Sequence, residues 1–404
     1  MKTLYEKIFG NVPYNVPYVE IGAFGKNEKT KNTDQKCDLA YSITKNGLIP
    51  TSAYFKDAKV TSDDTSGYRI VRRNWFVYSP SRIDVGSINY LRDQEEVIVS
   101  PLNVVFSVDE RAILPQYLLY YLQSRQGTWQ ILTSREGIEG TGRKLLPFEK
   151  FSKILVPLPP LEMQAKIVQL LDKFSSLSDM LLVELNCRRK QYSYYLNGCF
   201  ENQVKNVVPI SSLGQLTRGK RFVHADAVDV GVPCIHYGEL YTYYGAHANS
   251  VRSHIREDLR DKMRYARKND VIIVGAGENN IDIGIGVAWE GDEEIAVHDA
   301  CYILSHSQNP RYISYFLRSD MYHDQIKKYV SSGKICAISA TGIGKALIPI
   351  PSLEKQAEVV SMLNAFEELC NSNDSGIPGE ISRRNKQLEY YRDYIFDFGG
   401  RFQR

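Results

Sequence analysis

No run of about 18 consecutive apolar residues, the length a membrane-crossing helix needs, occurs anywhere in the chain. The first ten residues, MKTLYEKIFG, lack the apolar core and small-residue cleavage site of an export signal. Seven cysteines (Cys37, Cys187, Cys199, Cys234, Cys301, Cys336 and Cys370) form an odd set without a C-x-x-C pair. That usage fits a reducing compartment rather than a disulfide framework, so the expectation is a cytoplasmic protein that is neither exported nor membrane-spanning. Charge of one sign is also missing: 50 Lys and Arg stand against 47 Asp and Glu, for a net charge of +3. Such a balance neither demands nor forbids a polyanionic partner.

Histidine is absent from the whole first half. His224, His236, His247, His254, His298, His306 and His323 all lie in the second, so no His-dependent chemistry can be common to both halves. Cys234, His236, His298 and Cys301 offer four zinc-type ligands, but their spacing is unlike known ribbons and has no counterpart earlier in the chain. Ordinary polar or core positions, and no metal, are expected.

Catalytic motifs fail one by one. No G-x-S-x-G elbow is present. NVPY occurs at Asn11–Tyr14 and Asn15–Tyr18. There Val12 and Val16 replace the first proline of the turn that holds a base amino group, and no F-x-G-x-G strand precedes it, so an extended leader is expected. GAGENN, Gly275–Asn280, has Asn280 where a dinucleotide fingerprint needs its third glycine. SATGIGKA, Ser339–Ala346, has Ser339 for the leading glycine of a phosphate-binding loop and Ala346 for its magnesium-holding Ser or Thr. Binding is left as the property both halves can share.

What the sequence does contain is a repeat. With 404 residues, 43% of them hydrophobic, the chain is long enough for two or three domains. PLPPLEMQAKIVQLLDKF (Pro157–Phe174) returns as PIPSLEKQAEVVSMLNAF (Pro349–Phe366), 192 residues later. RRKQYSYY (Arg188–Tyr195) is echoed by RRNKQLEYY (Arg383–Tyr391), and PQYLLYYLQS (Pro115–Ser124) by PRYISYFLRS (Pro310–Ser319). A weaker pair, Asn74–Gly86 and Asn269–Gly284, occupies the same place in each half. Each half is therefore a variable unit followed by a shared one, with boundaries at 1–156, 157–204, 205–348 and 349–404.

The shared units read as helices. Ile167, Leu171, Phe174, Leu177, Leu181 and Leu185 recur three and four apart, a seam on one helical face. Leu161 to Asn197 holds no Gly or Pro, so a helix of about 55 Å is predicted at ~1.5 Å per residue. In the second copy Leu353, Val360, Leu363, Phe366 and Leu369 precede a break at Asn371–Glu380, with a restart beyond Pro378. Two such stripes in one chain predict an antiparallel coiled coil; the alternative is that each helix docks on its own domain. The variable units read as mixed α/β: strands at Trp75–Tyr78, Val97–Val99, Val271–Val274 and Ile295–Val297, helices at Pro115–Gln130 and Pro310–Val330. The fold class expected is α+β.

Two similar modules joined by helices suit a bipartite ligand, and DNA half-sites recur about every 34 Å. Loop cations with polar donors are the candidates to neutralise phosphates or reach base edges. In the first unit these are Lys45 and Asn46, then Ser79, Ser81 and Arg82. The loop Arg135–Lys144 adds Arg135, Thr141, Arg143 and Lys144. In the second they are Arg218, Lys220 and Arg221, Tyr243, Asn279 and Asn280, and Lys334 and Lys345.

The paired P-x-P-x-L-E-x-Q and R-R-x-Q-x-x-Y-Y segments, with YSPSRIDVGSI at Tyr78–Ile88, resemble the specificity subunit of type I restriction-modification systems over nearly the whole chain. The resemblance implies two target recognition domains, each reading half of a split sequence in double-stranded DNA. It implies two methyltransferase subunits that bring S-adenosylmethionine and adenine chemistry, and motor-nuclease restriction subunits, with this chain itself non-catalytic. Arg188, Arg189 and Gln191, and Arg383, Arg384 and Gln387, become the expected partner contacts. The break at Asn371–Glu380 departs from equal helix lengths. The competing readings are a fused enzyme reduced to its recognition half, for which a catalytic motif is missing, and a tandem-repeat scaffold that does not read DNA.

Overall fold

A computed structural model describes residues 16–44, 47–55, 62, 64–137, 144–201, 206–331 and 333–397. The chain divides into two units: Met1–Met180 with Ser382–Arg404, and Leu181–Ile381.

In the first unit, short apolar strands build two four-stranded sheets. One has the order Gly25–Glu28, Val104–Val108, Phe76–Tyr78, Ile88–Tyr90, antiparallel throughout. The other runs Gly47–Pro50, Ala40–Thr44, Glu96–Val99, Arg69–Arg72, with a parallel pair at its centre. Side chains alternate across a strand, so Phe76 and Tyr78 join Phe106, Tyr117 and Leu118 in one core while Val77 joins Val71, Val97 and Val99 in another. That division is why Trp75–Tyr78 reads as an unbroken apolar run. The second unit repeats the plan. Its sheets are Gly214–Arg218, Cys301–His306, Val271–Val274, Gly286–Trp289, His247–Ala248 and Ala227–Val228, Ser253–Ile255, Val232–Ile235, Ile295–Val297, Tyr265–Ala266. The same left-handed turn precedes the buried central strand in both units, at Asn74 (φ 66°) and Asn269 (φ 74°).

The helix expected over Pro115–Gln130 is two helices, Pro115–Gln123 and Arg125–Thr133. Ser124 is extended and its hydroxyl accepts the Gly127 N–H, capping the second helix. A Cβ on Gly127 would lie 2.1 Å from the Tyr121 carbonyl oxygen, so only glycine admits this close turn. Pro310–Val330 splits in the same way into Pro310–Phe316 and Asp320–Ile326, with Ser319 as the cap.

The first shared helix is continuous from Leu161 to Glu201, 41 residues, or about 60 Å at ~1.5 Å per residue. The second is broken as expected, into Leu353–Asn371 and Ile377–Phe396; Pro378 stands second in the restarted helix, inside the first turn where its missing N–H is harmless. In the first unit Phe174 stacks on Tyr391 at 5.0 Å and the Ser178 hydroxyl meets Asn385 at 2.7 Å. In the second, Leu185 packs with Cys370 and Ile377, and Tyr195 stacks on Phe366 at 5.3 Å. Residue numbers rise on one helix as they fall on the other: the pairing is antiparallel.

Helix ends dock differently from either simple expectation. The N-terminal part of each shared segment packs on the α/β domain before it, through Ile167 and Leu171 in the first unit and Val360 and Leu363 in the second. The far ends cross over. In the second unit Asn197 accepts the Asp320 N–H, and Phe200 lies edge-on to Tyr312 and Phe316, both at 5.3 Å. In the first, Asp393 accepts the Arg125 N–H at 2.8 Å, and Phe396 lies against Tyr117 and Tyr121 at 5.3 and 5.4 Å.

Candidate nucleic-acid interface

The loop after strand Phe76–Tyr78 is shaped by a turn in which Arg82 N–H reaches the Ser79 carbonyl. It is anchored by buried Ile83 and closed by Gly86 at φ 84°. Ser81 and Arg82 are left exposed, with the Ser79 and Ser81 hydroxyls 3.4 Å apart. Beside it run the paired strands Glu136–Gly137 and Lys144–Leu145, and the Leu146 N–H binds the Pro80 carbonyl at 3.1 Å. Ser79, Ser81, Arg82, Arg135 and Lys144 are thus brought together. Lys45, Asn46, Thr141 and Arg143 lie outside the described residues.

Arg135 does not point outward. Its side chain is only 11% exposed, with Nη1 on Asp84 at 2.7 Å and Nη2 on the Lys144 carbonyl at 3.1 Å. Lys144 is exposed.

The second unit forms the corresponding junction. Asn279 and Asn280 are exposed on a loop closed by Gly284 at φ 91°, and the Asn279 amide binds Asp282. Ala276–Gly277 pairs with Cys336–Ala337, and the Ile338 N–H binds the Gly275 carbonyl at 2.8 Å, as Leu146 binds Pro80. This is a turn and a short pairing, without the helix N-terminus a dinucleotide site requires. SATGIGKA forms a five-residue helix, Ala340–Gly344, capped by Ser339.

Lys334 is exposed before that arm. A cavity of about 390 Å³ is lined by Arg218, Gly275, Tyr302, Tyr329 and Ser339; Arg218 Nε is bound to the Asp299 carbonyl at 2.7 Å. Lys345 and Lys328 lie 5.2 and 5.1 Å from the Tyr329 ring centre, so Lys328 joins the sequence candidates. Lys220 and Arg221 are exposed beside buried Phe222. Tyr243 lies apart from these, exposed under the guanidinium of Arg252 at 4.9 Å.

Phe222 packs on His298 at 4.9 Å, and His298 on His236 at 4.7 Å. His298 engages the Phe222 carbonyl and the Ala300 N–H, and burial pushes both imidazoles below their ordinary pKa. Burial raises the Cys234 thiol to about 12. Among the described residues, no three His, Cys, Asp or Glu side chains gather as metal ligands.

On the helices, Arg188 binds Glu184 at 2.7 Å and Gln191 at 2.8 Å, and Arg384 binds Gln387 at 2.9 Å. Arg189, Gln191 and Arg383 are exposed. Among the described residues no helix is long and apolar enough to cross a membrane.

The model of the type I restriction modification DNA specificity domain matches the chain twice, at residues 3–186 and 203–383, and the chain belongs to that family. It is 26% identical over 313 residues to the type I restriction enzyme EcoR124I/EcoR124II specificity subunit of Escherichia coli, covering 74% of each chain. To a Haemophilus influenzae protein assigned as a type I restriction enzyme specificity subunit it is 26% identical over 309 residues, covering 73% of this chain and 76% of that one. Its fold is shared with a chain from a structure of complex assembly and conformational transition in the type I R-M system (TM-score 0.65, 16% identity, 95% of this chain and 99% of that one). It is shared also with the HsdS subunit of Thermoanaerobacter tengcongensis (TM-score 0.50, 16% identity, 98% of each).

Proposed function

We infer that this chain is the cytoplasmic specificity subunit of a type I restriction-modification enzyme, and that each unit reads one half of a bipartite DNA target. The observation that carries this reading is the duplicated loop junction: Ser79–Gly86 with the Lys144–Leu145 arm, and Gly275–Gly284 with the Cys336–Ala337 arm. The first presents Ser81, Arg82 and Lys144, and the second Asn279 and Asn280 with Lys334 just before its arm, each on a backbone fixed by a buried strand, as base readout requires. Phosphate contacts fall to Arg82 and Lys144 in the first unit, and to Lys220, Arg221, Lys334 and Lys345 in the second. S-adenosylmethionine and the methyl transfer belong to the two methyltransferase subunits, and cleavage to the motor-nuclease subunits. The Arg-x-x-Gln pairs of the helices, Arg188 with Gln191 and Arg384 with Gln387, are the contacts for those partners.

Adenine methylation mapped across a genome, with the chain co-expressed with its methyltransferase subunit, tests this. A split motif that needs the chain is expected, and the R82A/K144A double variant relaxes stringency in one half of it. Methylation without a split motif, beside a stably associated and active methyltransferase, would favour the scaffold reading.

A further inference from the structure

The two loop junctions are held by different forces. In the second unit the join is backbone: Ala276 pairs with Ala337 and Gly277 with Cys336, and the Tyr302 hydroxyl adds a bond to the Ile338 carbonyl. Among the described residues of the first unit the Lys144–Leu145 strand pairs with Glu136–Gly137 and with no strand of the Ser79–Gly86 loop. Like the second unit, the first has a backbone bond, Leu146 N–H to the Pro80 carbonyl, and a tyrosine bond, the Tyr78 hydroxyl to the Leu146 carbonyl at 3.0 Å; where the second unit adds strand pairing, the first adds one side chain. The Arg135 guanidinium reaches Asp84 at 2.7 Å, the Lys144 carbonyl at 3.1 Å and the Ser81 carbonyl at 3.5 Å. A fork of fixed geometry is what allows one group to hold three acceptors on two segments. The repeat places Val330 where Arg135 stands, and the second-unit aspartate of the same loop, Asp282, bonds inside its own loop to Asn279.

We propose that the Asp84–Arg135 pair is a positioning clamp that sets the first unit's reading loops against each other, and so fixes specificity at one half of the target without touching DNA. The proposal rests on the reading of those loops as DNA contacts. The arginine is largely shielded, with 11% of its side chain exposed against 31% of the aspartate's, so the pair's geometry survives solvent competition better than that of a fully exposed ion pair.

The sign of one substitution separates a clamp from a direct contact. Asp84→Asn removes a negative charge close to where a polyanion would lie. If Arg135 simply served as a phosphate contact, D84N would free its charge and leave DNA binding equal or tighter. If the pair is a clamp, D84N loosens both loops. The experiment measures binding of the assembled complex of full-length chain and methyltransferase to duplexes carrying its motif, over a salt series, and maps methylation in parallel. Expected for D84N is a loss of about tenfold in specific affinity with the salt slope unchanged, because no cation has been removed. One half of the motif should degenerate while the other keeps its stringency. R135K, which keeps the charge but loses the fork, should do the same, and its unchanged melting temperature would exclude misfolding. D84N binding as tightly as wild type, or more tightly, with an intact motif overturns the clamp. A wild-type complex without sequence preference would instead overturn the DNA reading on which the clamp rests.

Discussion

Gln164 accepts the Leu114 N–H at 2.9 Å while its amide donates to the carbonyls of Ala112 and Pro159, and the side chain is wholly buried. Gln356 repeats the arrangement, accepting Asn309 N–H and donating to Gln308 and Pro351. In both units this glutamine fixes the chain entering the Pro115 or Pro310 helix to the start of the shared helix. The repeated P-x-P-x-L-E-x-Q motif thus has a structural reason for its last letter.

Q164L should leave the Leu114 N–H and two carbonyls unpaired in the interior, at a cost of about 3 kcal/mol. Urea unfolding of the full chain reads this directly, and Q356L should match it. A loss under about 0.5 kcal/mol, the scale of an ordinary surface change, would mean that the buried glutamine's three hydrogen bonds are redundant.

Phe396 is 1% exposed against Tyr117 and Tyr121, so F396A opens a cavity in the first unit. The expected penalty is about 3 to 5 kcal/mol. By hydrogen exchange, residues 115–133 should lose protection while 310–326 keep it; F200A should give the reverse pattern. Loss of protection in both segments from either variant would contradict the assignment of these helix ends to separate units.

Acid should weaken the second unit first. Burial is the main cause holding His236, His247, His298, His306 and His323 below their ordinary pKa, which lies near ~6.5. Glu239 opposes this at His236 and Asp299 at His298, while His224 lowers His236 further and His236 and Arg221 lower His298 further. As pH falls through about 6.5 the unfolded chain takes up protons that the folded one refuses, so stability is full above that value and declines below it. The first unit has no histidine. Thermal unfolding followed at pH 7.5 and 5.5 should therefore show the second unit's transition moving down and the first's nearly still. Equal shifts in both would reject the histidine origin.

Much of the architecture is legible in the sequence because short apolar runs bounded by polar residues can hardly be other than buried strands: Val271–Val274 and Ile295–Val297 are strands over those very residues. The break at Ser124 is not legible, because helical periodicity continues through it and the decisive contact is Gly127 against a carbonyl. Crossed docking of the helix ends is hidden for a similar reason, since Phe396 and Phe200 look like ordinary seam residues. Arg135 reads as a loop cation open to DNA because its partner, Asp84, is 51 residues away and only folding brings the two together. Lys328 is missed because its signal in the sequence is no more than the adjacent Tyr329 ring.

The bond from Arg125 N–H to Asp393 joins residues 268 apart. During synthesis at ~5 to 20 residues per second, the first unit's helical layer must therefore wait on the order of 15 to 50 s for its last piece to be translated. The Tyr117 and Tyr121 rings face that interval without Phe396, so the nascent first unit carries an apolar surface that the finished chain covers.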